Sequence, residues 1–197
     1  MEATKVERIE SIIKSALAEF VEKGFENTTM NSIADRANLS KGGLYHHFSS
    51  KEELLFVVNN EIMRPIVNLM KETEKINSAI MGLRYYIKEF IKYWVTNKKE
   101  LEITLLAMSR LTNSDENKLE YFNYMQNMKN FLEILLKKGV EQGELKKNNY
   151  LLNASIIFTL LDGNIVRIAY DKDVKIEQIF EEVDKIIIEP LIFKLSW

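Results

Sequence analysis

The alternation of apolar and polar positions along this chain is helical almost from end to end. Ile9, Ile12, Ile13, Ala16, Leu17, Phe20 and Val21 recur three and four apart, the spacing of one helical face, and Gly24 ends the run. Phe25 to Thr29 predicts a turn closing on an N-cap threonine, followed by a short helix from Met30 to Ala37. Asn38-Leu39-Ser40 predicts a tight turn, because asparagine tolerates the left-handed backbone that such turns often need. Ser40 then caps a very short helix carrying Lys41 to Phe48. Ser50 opens a longer one, with a capping box to Glu53, running to about Met70. Further helices are predicted at roughly 76–97, 99–112, 115–142, 149–171 and 175–195. Breaks fall at Asn97-Lys98, Thr112-Asn113-Ser114, Gln142-Gly143 and Asp171-Lys172-Asp173, and Pro190 should kink or end the last helix. The fold class is all-α.

Composition narrows the chemistry. The 197 residues hold two prolines and seven glycines, which suits long helices, and no cysteine. Disulfides, thiolate zinc sites and cysteine nucleophiles are therefore excluded. Charges at Glu7, Arg8, Glu10 and Lys14 leave no apolar signal-peptide region at the start. The longest uncharged run, between Lys147 and Asp162, falls short of the ~18 apolar residues that span a bilayer. A soluble, cytoplasmic protein with no membrane partner is the expectation. A net charge of −2 gives no global sign of a nucleic-acid binder, so that reading must rest on local arrangement.

The local arrangement is that of a helix-turn-helix. Such a motif needs a packed two-helix corner, a small-residue turn, and a helix N-terminus free to approach phosphate. Ile33, Ala34 and Ala37 supply the face toward the first helix, and Leu39, Leu44 and Phe48 close the small core. Ser40-Lys41-Gly42-Gly43 then presents free N–H groups and a lysine at the positive end of a helix dipole. Two adjacent glycines weaken an isolated helix by about 1 kcal/mol each relative to alanine, a cost easier to explain at a contact surface. Adjacent His46 and His47 point about 100° apart on a helix and gain no cysteine or paired carboxylate, so no metal site is read there.

From Thr29 through Ser40-Lys41-Gly42-Gly43-Leu44-Tyr45-His46-His47-Phe48 to Leu54, with Glu22-Lys23-Gly24-Phe25 before it, the sequence resembles the TetR family of transcriptional regulators. The resemblance covers about the first third of the chain. It implies a three-helix DNA-binding domain at 1–50, a connecting helix at 51–70, and a ligand-binding and dimerisation domain at 71–197, with about nine helices in all. It implies that Tyr45, His47 and Lys51 bond phosphates, that Thr29 or its amide grips the far side, and that Ser40, Lys41, Gly42, Gly43 and His46 face or border the groove. Asn38 stands where the family often has glycine, and Gly43 where a side chain commonly reaches DNA. Readout then falls more on Lys41 and on DNA shape. Tyr45 could instead cover the hydrophobic corner, and Lys5 and Arg8 could reach DNA or remain solvated. In residues 1–50 the acids outnumber the bases by one, so specific binding is expected to depend on a dimer engaging two half-sites of double-stranded operator DNA.

The rest of the chain offers pattern without motif. The helix at 149–171 is apolar nearly all round, which requires cover on all sides, and the helix at 175–195 carries a cleaner stripe that includes Phe193. The resemblance implies that these two pair with a second copy in a homodimer. Tyr86, Phe90, Tyr93, Trp94, Met108, Phe122 and Met125 are candidate walls of a pocket for a small, largely apolar effector, although such stripes are usually plain core. Asp162 interrupts the apolar helix and could serve ligand or dimer interface; Arg84, Glu102 and Arg110 are lesser candidates. No cofactor is implied. With His46 and His47 as its only histidines the chain builds no catalytic triad outside the reader, so an enzyme is disfavoured. A helical module with a vestigial reader is the other rival.

Overall fold

The computed structural model describes residues 4–110 and 115–192. The predicted break at Thr112-Asn113-Ser114, the end of the helix placed at 99–112, Phe193 and the last residues of the helix placed at 175–195 lie outside them. The described residues are helical, with no strand among them and one isolated bridge, Leu145 to Ile192. They divide into two compact units: Met1–Arg64 with Glu102–Asn113, and Pro65–Leu101 with Ser114–Trp197.

In the first unit, α1 (Lys5–Lys23) starts at Thr4, whose hydroxyl accepts from the Glu7 amide while the Glu7 carboxylate accepts from Thr4. It stops at Gly24, where φ of +77° suits a residue without Cβ. α2 (Met30–Arg36) is capped by Thr29, boxed with Ser32, and α3 (Lys41–His47) is capped by Ser40. Asn38 takes the left-handed conformation, φ 54°, in the turn between them. Ile12, Ala16, Phe20, Ile33, Ala34, Leu44 and Phe48 form the buried core, joined by Leu54, Leu55 and Val58 of α4 (Lys51–Glu74). Ala37 and Leu39 sit half-buried at its margin. Glu19 is buried and held by Lys23 at 2.7 Å and Arg36 at 3.0 Å; Arg36 also grips Glu22.

The expected capping box at Ser50 is half right. Ser50 accepts from the Glu53 amide, but the Glu53 carboxylate reaches back to the amide and hydroxyl of Ser49. α4 also runs past Met70 to Glu74, with Pro65 inside it.

The second unit is built on α5 (Ala79–Thr96), α7 (Asp115–Glu141) and α8 (Tyr150–Tyr170); α6 (Lys98–Ser109) precedes α7. α5 begins three residues later than expected, because Ser78 caps it and the end of α7 serves its first turn. The Gln142 and Glu144 side chains accept from the amides of Ala79 and Ile80, and Lys138 donates to the Ile76 carbonyl. The core joins Leu83, Tyr86, Ile87 and Phe90 of α5, Met128, Phe131, Leu132 and Leu135 of α7, and Ala154, Ile157, Leu161 and Ile168 of α8.

The long last helix does not form as one piece. α9 (Ile176–Val183) passes into a π-turn (Asp184–Ile188) and then a single turn, α10 (Glu189–Leu191), after which Ile192 is extended. Pro190 has no N–H to continue the ladder, and the widened turn immediately precedes it. Arg84 of α5 holds the π-turn through two bonds to Asp184, 2.7 and 2.8 Å.

Gly139 of α7 marks the tightest approach in this unit. A Cβ there would stand 2.5 Å from Leu145 Cδ1 and 3.3 Å from Ala79 Cβ. Gly139→Ala is expected to lower stability by about 1–3 kcal/mol through overpacking, read as an earlier urea midpoint. An unchanged midpoint would mean that Leu145 moves aside at no cost.

Candidate nucleic-acid interface

α3 shows one face to the core and the other to solvent. Leu44 is fully buried, whereas Lys41, Gly42, Tyr45 and His46 are exposed, Tyr45 by 44%. The Lys41 ammonium lies 5.9 Å from the Tyr45 ring centroid, so charge and aromatic ring sit together on the open face. Gly42 has nothing within 4 Å of an added Cβ, whereas at Gly43 one would meet Ser40 Oγ at 3.3 Å.

The two histidines are stacked edge to face, centroids 5.3 Å apart. His47 is half-buried. Burial, then the charges of His46, Arg8 and Lys5, hold its imidazole below the ordinary histidine range. Lys5 and Arg8 of α1 therefore share a neighbourhood with the end of α3, and the exposed edge of this head is basic although its total charge is not.

The hydroxyls of Thr29 and Ser40 cap α2 and α3, accepting from Ser32 at 3.1 Å and Gly43 at 3.1 Å. Each keeps its own O–H proton for another acceptor. Lys51 has a different surrounding from the other candidates. Its ammonium donates to the carbonyls of Phe25 at 2.7 Å and Thr28 at 2.9 Å, and lies 4.3 Å from the Phe25 ring centroid. The Arg110 guanidinium lies 4.6 Å from the same ring centroid and pairs with Glu26 and Glu52. This cluster was not legible in sequence, since its hydrogen bonds join residues 23 to 84 positions apart.

The candidates for a small-molecule site separate into groups. Tyr86, Phe90 and Trp94 are buried on α5, with Phe90 6.1 Å from Tyr86 and 6.3 Å from Trp94 by ring centroid; Tyr93 is half-buried, 4.9 Å from Trp94. The Tyr86 hydroxyl and the Trp94 indole nitrogen are buried without a hydrogen-bond partner. Met125 and Asp162 are half-buried in the same unit. Phe122 is 51% exposed, and Met108 is half-buried in the first unit. Arg110 and Arg84 are engaged in the ion pairs already described, and Arg167 pairs with Glu182 at 2.6 Å. Among the described residues no group of three or more His, Asp or Glu could hold a metal.

Lys51→Met keeps the packing of the lysine stem and removes the donors. It is expected to cost about 1–3 kcal/mol by stranding the part-buried Thr28 carbonyl, measured as a shift of the urea midpoint. An unchanged midpoint would free Lys51 for an external acceptor.

Residues 12–58 match the family described as bacterial regulatory proteins, tetR family. The Transposon Tn10 TetC protein of Escherichia coli is 23% identical over 160 residues, 81% of this chain and 77% of that protein. The biofilm operon icaADBC negative transcriptional regulator IcaR of Staphylococcus epidermidis is 29% identical over 82 residues, 42% of this chain and 44% of its own length. Among solved structures, the TetR family transcriptional regulator PfmR of Thermus thermophilus superposes with a TM-score of 0.71 at 26% identity, covering 90% of this chain and 97% of that one. The latter two are transcriptional regulators by name. Residues 12–58, which include α2 and α3, are similar to the TetR family of bacterial regulatory proteins, and the fold extends over nearly the whole of a solved regulator.

Proposed function

We propose that this protein is a cytoplasmic homodimeric repressor that binds a palindromic operator and is released by a small, largely apolar molecule. The observation that carries the reading is the open face of α3, where Lys41, Gly42, Tyr45 and His46 are exposed beside a buried Leu44. A short helix with a capped, glycine-bearing N-terminus and exposed donors suits a major groove, and this reading assigns Tyr45 and His47 to phosphates. Thr29, Ser40 and Gly43 border the same surface.

The second half of the reading rests on α8. By length and composition it could cross a membrane, with mean hydropathy 1.4 and a third of its apolar window buried. One face is core. The other carries Leu152, Thr159, Gly163, Val166 and Tyr170 at helical spacing, all exposed, with Ile156 half-buried among them. A matching stripe from a second copy is the cover this reading assigns, with Ile186 beyond the π-turn beside it. In a dimer the two readers would meet half-sites about one DNA turn, or a multiple of it, apart. An effector among the α5 aromatics, acting through α4, would change their spacing and release the operator. It must bind the DNA-incompatible form more tightly, because equal affinity for both forms shifts nothing.

Fluorescence anisotropy against DNA tiled from the gene's own upstream region tests the reading. One saturable palindromic site with a steep salt slope is expected, lost in Tyr45→Ala. Uniformly weak binding to every tile, repeated after refolding from denaturant, would refute it.

Two further outcomes are specific. His47 is held toward its neutral form in the free protein, and a phosphate beside it would favour the imidazolium, so binding should take up a proton. Affinity should therefore rise as pH falls through the higher pKa of the bound state, and level off below the depressed pKa of the free one. His47→Gln should flatten that slope; an unchanged slope would remove His47 from the interface. On α8, a side chain at Gly163 meets open space within one copy. Gly163→Leu should leave helicity intact while sedimentation velocity reports monomers. A variant that stays dimeric would exclude this stripe as the seam.

A further inference from the structure

The second unit carries a cleft of about 470 Å³ between the C-terminal half of α4 and the solvent side of α5. Small-molecule sites commonly occupy about 300–1,000 Å³. Ile66 and Leu69 of α4 line the cleft and are buried, so its floor is apolar. Tyr85 and Tyr93 of α5 line it as well. Tyr93 is half-buried and Tyr85 is 39% exposed, a large aromatic surface that the fold leaves wet.

The charge in the cleft is one-sided. Its charged side chains are Glu72, Glu89 and Lys92. The Lys92 ammonium is committed to both carboxylate oxygens of Glu89, at 3.0 and 3.3 Å, and these two charges cancel. Glu72 is exposed, and its side chain has no hydrogen bond or ion pair among the described residues. One carboxylate is therefore left over. Asn97 Nδ2 is spent on the Tyr93 carbonyl at 2.7 Å, which leaves the Asn97 amide oxygen to accept. Glu72 lies in the last turn of α4 and Asn97 caps the end of α5, so the negative ends of two helix dipoles border the same space.

These features select the sign of a ligand. An anion would meet the unpaired carboxylate and both helix C-termini. A neutral apolar body could cover the tyrosines but would gain nothing from Glu72. A protonated amine on an aromatic body gains from both, its ring against Tyr85 and Tyr93 and its ammonium toward Glu72. We infer that the α4–α5 cleft binds an aromatic amine as its cation and, resting on the effector reading above, that this amine is the effector.

Isothermal titration of the full-length protein tests this with probes that share a phenylethyl body: phenethylamine, phenethyl alcohol and hydrocinnamate, respectively cation, neutral molecule and anion at neutral pH. The amine should bind about fivefold or more tighter than the alcohol, and the carboxylate more weakly than either. Glu72→Gln, which removes no contact within the fold, should bring amine and alcohol to equal affinity, and Tyr85→Leu should weaken both. The chain has no cysteine, so Asn68→Cys places a single thiol in the cleft. Its reaction with a thiol reagent should slow when phenethylamine is present, whereas that of Leu151→Cys, exposed on α8, should not. Equal affinity for amine and alcohol, a preference that survives in Glu72→Gln, or an unprotected Asn68→Cys would overturn the inference. Operator anisotropy in the same samples separates the two readings. Preference and protection without operator release uphold the site and count against the switch; operator release with Asn68→Cys unprotected upholds the switch and overturns the site.

Discussion

Where α1 ends, the chain must reverse within six residues before α2 can begin, and the carbonyls of Phe25 and Thr28 are left without helical donors. The Lys51 ammonium answers both at once and lies against the Phe25 ring. That single charged group ties the first turn of the head to the start of α4. With it in place, Thr29 can cap α2, the Asn38 turn can aim α3 outward, and Leu44 can be buried while Tyr45 is not. Arg110 reinforces the arrangement through Glu26 and Glu52. Exposed ion pairs contribute little individually, so their role is better understood as fixing where the Phe25 turn sits.

The second unit follows a different logic, in which the helices are apolar enough to pack several ways. α8 resolves this by dividing its circumference. Ala154, Ile157, Leu161 and Ile168 are committed to α5 and α7, while the stripe through Thr159 and Val166 is left uncovered. Asp162 sits beside the boundary of the two faces, which is why it is only half-buried. The Arg84–Asp184 pair anchors the π-turn against α5 and fixes the end of α9.

Local chemistry was the part of this structure legible in the sequence. Thr29, Ser40 and Asn38 act through neighbours within three residues, so their roles follow from residue type and spacing alone. The α1 face and the Gly24 stop follow from periodicity for the same reason. What could not be read is what depends on distant partners: the carbonyls that claim Lys51, the glutamates that claim Arg110, and the α7 side chains that start α5 at Ala79. Aromatic spacing put Phe122 and Met108 among the pocket walls. It records which residues share a helix face but not which face is packed, so it gave no warning that Phe122 is exposed. The single helix expected from Ile176 onward failed at the π-turn, because apolar periodicity persists through a widened turn.

Gly42 has a consequence for how such a reader could change over time. Most positions on a seven-residue helix are tied to the core, to a cap or to a neighbouring turn, so altering them trades specificity against folding. At Gly42 an added side chain meets nothing, and replacing glycine would itself favour the helix. On the proposed reading, new operator preferences could therefore be explored at that one position without a cost in folding.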